Sequence, residues 1–79
     1  MASVNYTICK YIYNNWILKS VSQRAFAKEH DIEESIVRKI KNTALKKDNY
    51  EYNIPVLTLQ KICFFRNLKL HEFFKMVGM

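Results

Sequence analysis

Residues 22–41 read SQRAFAKEHDIEESIVRKIK, and this stretch decides the fold. Its first half carries a short helical pattern, in which Phe26 and Ala27 are the apolar positions of a single turn. Ser22 stands in front of them, and serine is a preferred residue for capping the N-terminus of a helix. The pattern predicts a helix over 23–30.

The second half of the stretch carries another helical pattern. Val37 and Ile40 lie three residues apart, and the other positions are polar and, toward the end, basic. This spacing predicts a short amphipathic helix over 33–41. Two helices of this size joined by roughly 3–4 residues are typical of a helix-turn-helix, whose second helix enters the major groove of DNA.

This part of the chain resembles the repressor/Cro (XRE) family of helix-turn-helix proteins. The residues that carry the resemblance are Ser22, Gln23, Phe26, Ala27, Ile32, Ser35, Val37 and Ile40. IPVLTLQKI at 54–62 and LKLHEFF at 68–74 resemble the fourth and fifth helices of the family, so the similarity covers about residues 21–77. Asp31 departs from the glycine usual in the family's turn, and Lys41 from the usual glutamate. Aspartate tolerates left-handed backbone better than most residues, so the turn is expected to survive at some cost.

The resemblance implies an all-α, five-helix domain of repressor/Cro type with a central helix-turn-helix, formed by residues 1–79 as one domain. Such a domain binds double-stranded DNA as a homodimer on a palindromic site and regulates transcription, with repression as the expected mode. Gln23 is expected to hold a phosphate, and Lys39 to meet base edges with Glu34 and Ser35. The full predicted DNA-binding set is Gln23, Arg24, Glu34, Ser35, Arg38, Lys39, Lys41, Lys46 and Lys47.

Three more helices are predicted on either side of this motif. Ile8, Ile12 and Trp16 recur at spacings of four and predict a helix over 5–19, with Tyr13 off the apolar stripe and partly exposed. Helices over 55–67 and 70–77 follow from the apolar positions Val56, Leu59, Ile62 and Cys63, and Leu70, Phe73, Phe74 and Val77, with Gly78 as a C-terminal stop.

Residues 42–53, NTALKKDNYEYN, lack sustained periodicity, and Asp48 and Asn49 are a turn signal, so the sequence predicts a loop. Two alternatives stay open for parts of it. Tyr50 and Tyr52 alternate around an acid, which fits a short extended piece that packs on the core. An extra turn at the end of the 33–41 helix fits equally well.

Composition limits the classes of function. A chain of 79 residues with a net charge of +6 and one glycine suits a small packed domain that attracts polyanions. The N-terminus lacks a signal-peptide pattern, and no apolar run approaches the ~18 residues of a membrane span, so a soluble cytoplasmic protein is expected. The segment 70–77 carries too little positive charge for membrane binding, and no RNA-binding signature occurs.

The sequence does not predict an enzyme. His30, His71, Cys9 and Cys63 lack the spacing of a metal site, and Gly78 is the only glycine, so a glycine-rich phosphate loop cannot form. We therefore expect no catalytic residues, metal, cofactor or small-molecule substrate. The main alternative to DNA binding is a protein-interaction module of the same fold, because Glu33 and Glu34 would approach DNA phosphates and be repelled. Acids in a first helical turn also have a structural explanation in the helix dipole.

Overall fold

Five helices joined by short irregular segments make up the computed structural model of this protein, which describes residues 3–47 and 51–78. They are α1 (Val4–Ile12, continued by a π-helical turn, Tyr13–Ile17), α2 (Gln23–Glu29), α3 (Glu34–Ala44), α4 (Val56–Phe65) and α5 (Leu70–Val77). Strands do not occur in these described ranges. The predicted all-α, five-helix fold class is confirmed.

The helix, tight turn and helix predicted over 23–41 are present. The Ser22 hydroxyl accepts a hydrogen bond from the Ala25 amide at 3.0 Å, so it caps α2 as expected. In the turn that follows, Asp31 has a φ of 54°, which is the left-handed conformation that aspartate tolerates. The Ile32 amide then donates to the Ala27 carbonyl at 3.0 Å and closes the turn onto α2.

Helix α3 is longer than predicted, so the proposed loop over 42–53 begins too early. Thr43 and Ala44 are helical and buried, and the Thr43 hydroxyl accepts a hydrogen bond from the Tyr52 amide at 2.9 Å. This contact holds the end of the helix against the returning chain. The extra-turn alternative is therefore confirmed. Tyr52 lies in an irregular segment and is buried together with Ile54, so this part of the chain packs on the core. Asp48, Asn49 and Tyr50 lie outside the described residues.

Helix α1 changes its hydrogen-bond pattern halfway along. It begins at a Ser3 cap, whose hydroxyl accepts from the Tyr6 amide, and it becomes π-helical after Ile12. The Leu18 amide bonds to the carbonyl of Tyr13, five residues earlier. Tyr13 itself keeps α-helical backbone angles and is only 9% exposed, because it lies one turn after the fully buried Cys9 on the same side of α1. The prediction that Tyr13 lies partly exposed was wrong because the buried side of α1 is wider than the predicted apolar stripe.

Helices α4 and α5 lie where the sequence placed them. Leu59, Ile62 and Cys63 are buried as predicted, whereas Val56 is 66% exposed because no element of the described ranges covers the first turn of α4. Gly78 follows α5 with a φ of 91° and donates to the last carbonyls, which confirms its predicted role as the helix stop.

A cluster of four side chains ties the motif to the rest of the domain. The buried His30 stacks on Phe26, and its Nδ1 lies 2.8 Å from the Phe26 carbonyl, which can only accept. The ring therefore carries its proton on Nδ1, and Nε2 accepts from the Arg66 guanidinium at 3.2 Å. That guanidinium also lies over the Trp16 ring, 4.4 Å from its centroid. The contacts connect α1, α2 and the end of α4.

This cluster predicts an acid-sensitive stability. Burial lowers the pKa of His30, and the nearby Arg66 lowers it further, although the Phe26 carbonyl and Glu29 oppose both effects. A lowered pKa means that the unfolded chain binds the proton more tightly than the folded chain does. The contribution of neutral His30 to the free energy of unfolding is therefore complete above about pH 6.5 and is lost as the pH falls below that value. We expect the melting temperature to drop between pH 7.5 and pH 5, and to drop less in His30→Gln. Equal slopes for the two proteins would contradict the assignment.

Candidate nucleic-acid interface

The outward side of α3 is opposite its buried stripe. Val37, Ile40 and Ala44 face the core, whereas Ser35, Arg38 and Asn42, spaced by three and four residues, lie on the other side of the helix. Arg38 is exposed in the middle of this row. Among residues 3–47 and 51–78 it makes no hydrogen bond or ion pair, so its guanidinium can bind an external acceptor.

Positive charge is concentrated on this helix and the turn after it. Residues 35–47 contain five basic side chains and no acidic one, and we call them the α3 basic face: Arg38, Lys39, Lys41, Lys46 and Lys47. All are exposed except Lys41, which is half-buried. Lys46 has a φ of 52°, so the chain turns sharply there and places the last two lysines beyond the end of the helix. Five cations without a neighbouring acid along this stretch make a surface of strongly positive potential.

Two tyrosines lie under lysines at one edge of the α3 basic face. The Lys46 ammonium is 4.6 Å from the centroid of the Tyr6 ring, and the Lys10 ammonium is 5.7 Å from the same centroid. Lys39 lies 5.6 Å from the centroid of the Tyr52 ring. The first turns of α1 thus extend the positive surface. Tyr6, Lys10 and Tyr52 were not among the predicted site residues, although the four-residue spacing of Tyr6 and Lys10 places them on one side of a helix and was a usable signal.

The other edge is formed where α2 and α3 begin. The Arg24 guanidinium and the Glu34 carboxylate form an ion pair at 3.5 Å, and the Ser35 hydroxyl donates to the Glu33 carboxylate at 3.3 Å. The structure therefore brings the start of α2, with Gln23 and Arg24 of the predicted set, next to the start of α3, with Glu34 and Ser35. The Arg24 side chain is 86% exposed, so the pair contributes at most about 1 kcal/mol and exchanges easily.

The described residues offer little for other kinds of chemistry. Burial raises the pKa of the Cys9 thiol to about 12, helped by Glu51, and burial also raises the pKa of Cys63, so neither is a reactive thiolate at neutral pH. Within 3–47 and 51–78, no three histidine, cysteine or acidic side chains are grouped as metal ligands would be. The helices found there are also too short and too polar to cross a membrane.

Comparison with protein-family models, with curated proteins and with solved structures found no match for this chain. The repressor/Cro resemblance therefore stays a prediction that rests on the residues quoted for it.

Proposed function

We propose that this protein is a cytoplasmic transcription regulator that binds double-stranded DNA, with α3 as the recognition helix and two copies on a palindromic site. The observation that carries the proposal is the α3 basic face. An α-helix with its side chains is about 10–12 Å across, which matches the ~12 Å width of the major groove. Helix α3 has 11 residues. Every residue of its outer row, from Ser35 to Asn42, is polar or basic.

The arrangement suggests different roles along the helix. Arg38, at the centre of the outer row, is suited to a bidentate hydrogen bond with a guanine edge. Lys39 and Lys46, which lean over tyrosines at the edge of α3, are suited to phosphates, as is Lys47 beyond the end of the helix. Gln23 and Arg24, both on α2, would contact DNA phosphates next to the N-terminal end of α3. Lys41 is half-buried on α3 and would reach a phosphate with its ammonium group alone.

A protein-interaction module is the second candidate. It is favoured by the acids at the start of α3, where Glu34 already pairs with Arg24 and Glu33 accepts from Ser35. A partner protein with mixed charge would complement that end of the helix better than DNA does. The five cations of the α3 basic face favour DNA, because a stretch of this length with positive charges and no acid matches a polyanion.

The proposal predicts salt-dependent binding to duplex DNA. On random duplexes, binding should be measurable at ~50 mM salt, and the slope of log K against log salt should lie between about −3 and −5 as phosphate contacts release counterions. Lys46→Ala/Lys47→Ala should reduce the slope by about two units if both lysines meet phosphates. Fluorescence anisotropy over a salt series measures both quantities.

A matched control removes the same charge elsewhere. Lys19→Ala/Lys75→Ala alters two exposed lysines outside the α3 basic face and should leave the slope unchanged. An equal loss in both double variants would mean that the protein binds DNA only through its net charge. Absence of duplex binding at ~50 mM salt would favour the interaction module.

A further inference from the structure

Helix α4 has an apolar outer side that nothing in the described chain covers. Leu57 is 75% exposed and Phe64 is 72% exposed, on the side of the helix opposite the buried Leu59 and Ile62. Phe65, at 50% exposure, lies beside them. Single exposed apolar residues are common on protein surfaces, but aligned large ones on one helix indicate an interaction site.

A shallow groove runs between this side of α4 and the turn that joins α2 to α3. Its apolar wall is formed by Ile32, Ile36 and Leu57. Its rim carries Asp31, Glu33 and Lys61, and because the Lys61 ammonium pairs with Asp31 at 3.4 Å, Glu33 is the acid left without a cation. Ile32 and Ile36 are only partly buried, so the groove can take an additional apolar side chain. It therefore offers a docking place for a large apolar residue with positive charge beside it.

Phe64 fits that description. It lines a second groove on the far side of α4, where Lys69 lies beside it together with Leu68. The chain thus carries both an apolar groove with an acidic rim and an exposed aromatic side chain with a lysine beside it. An aromatic ring with a cation beside it suits an apolar groove whose rim has a net negative charge, but both features belong to the same surface and cannot meet within one molecule.

The outer stripe of α4 is also symmetric along the helix. Leu57 and Phe64 are equally far from the midpoint between Gln60 and Lys61. Two antiparallel copies of α4 related by a two-fold axis at this midpoint would place each Leu57 against a Phe64 of the other copy. Gln60 would then meet Lys61, whose charge is already partly balanced by Asp31 at 3.4 Å. Such a self-complementary patch is what an isologous dimer requires.

We propose that the occupant of this surface is a second copy of the chain, paired through antiparallel α4 helices. Phe64 of each copy enters the groove lined by Ile32, Ile36 and Leu57 of the other, and Lys69 approaches the acids on its rim. The exposed apolar residues that form this surface lie on α4. The pairing uses no residue of the α3 basic face, so it does not rest on DNA binding.

Sedimentation equilibrium of the full chain without DNA tests the proposal. Over about 10–500 µM the wild-type protein should be a concentration-dependent dimer. Leu57→Glu and Phe64→Glu should each raise the dissociation constant by about 30-fold or more, because each removes an anchor twice in a two-fold dimer. Leu18→Glu is the matched control, since Leu18 is 59% exposed but lies outside α4, and it should not change the dissociation constant. Circular dichroism checks that each variant keeps its helices.

A mixing experiment tests the antiparallel register. Leu57→Lys alone and Phe64→Glu alone should each be monomeric, whereas an equimolar mixture should dimerise. In the mixed pair, the new ammonium group at position 57 faces the new carboxylate at position 64, and the other Leu57–Phe64 contact is intact. If the wild-type protein stays monomeric up to ~500 µM, the proposal is overturned, and the exposed apolar side of α4 binds a different partner. A dimer unaffected by either α4 substitution, or a mixture that stays monomeric, would also overturn it.

Discussion

Phe73→Ala is expected to lower the free energy of unfolding by about 3–5 kcal/mol, the usual cost of removing a buried phenyl ring. Phe73 is fully buried in α5, and its ring centroid lies 5.7 Å from that of Tyr11 and 5.5 Å from that of Trp16. The ring of Phe74 packs on it from the same helix at 5.8 Å. The variant leaves a cavity at the point where α5 meets α1.

A loss of this size is large for a domain of 79 residues, whose total stability should be about 4–12 kcal/mol. Urea unfolding at a fixed protein concentration, followed by circular dichroism, measures it without relying on Trp16 fluorescence. Met76→Ala is the control in the same helix, because Met76 is 48% exposed, and it should cost less than about 1 kcal/mol. Similar costs for the two variants would show that α5 is not docked as described.

Local patterns predicted most of this fold because the patterns themselves cause the structure. The Ser22 cap, the stripe of Val37 and Ile40 and the Gly78 stop all act through neighbours within one or two helical turns. Each can therefore be seen in a short window of sequence. The position of Asp31 in a left-handed conformation was predictable for the same reason.

The errors arose where contacts between distant residues decide the structure. Helix α3 continues to Ala44, and its last turn is held by the hydrogen bond from the Tyr52 amide to the Thr43 hydroxyl, which nothing near residue 43 in the sequence predicts. Tyr13 is buried because the side of α1 that meets the core is wider than the predicted stripe and includes Cys9, one turn before Tyr13. Val56 was assigned to the core by its spacing, although periodicity cannot tell whether another element covers that turn.

In the candidate interface, too, some features depend on the local sequence and others on contacts between distant residues. The cluster of cations in 35–47 is a property of the sequence and was found from it. The pairing of Tyr6 with Lys46, forty residues apart, depends on how α1 packs against α3. The direction of Lys39 toward Tyr52 likewise needed the structure, and it changes which residue is best placed to read a base.

Arg38→Ala is therefore expected to cost about 1–3 kcal/mol on a site selected from random DNA and to relax the preference at one base position. The sequence had favoured Lys39 for this guanine contact. In the structure Arg38 occupies the centre of the outer row of α3, whereas the Lys39 ammonium leans over Tyr52 at the edge. A guanidinium can also donate two parallel hydrogen bonds to a guanine edge, which an ammonium group does with less directional specificity.

Three single variants, each measured on the selected site and on duplexes with one base pair changed, distinguish a contact to a base from a contact to a phosphate. Arg38→Ala should lose discrimination at one position, while Lys39→Ala and Lys46→Ala weaken all duplexes alike, because a phosphate contact carries no sequence information. Each lysine variant should also reduce the salt slope by about one unit. If Lys39→Ala relaxes the preference and Arg38→Ala weakens every duplex equally, the base-reading role returns to Lys39, and its ammonium must leave Tyr52 when DNA binds.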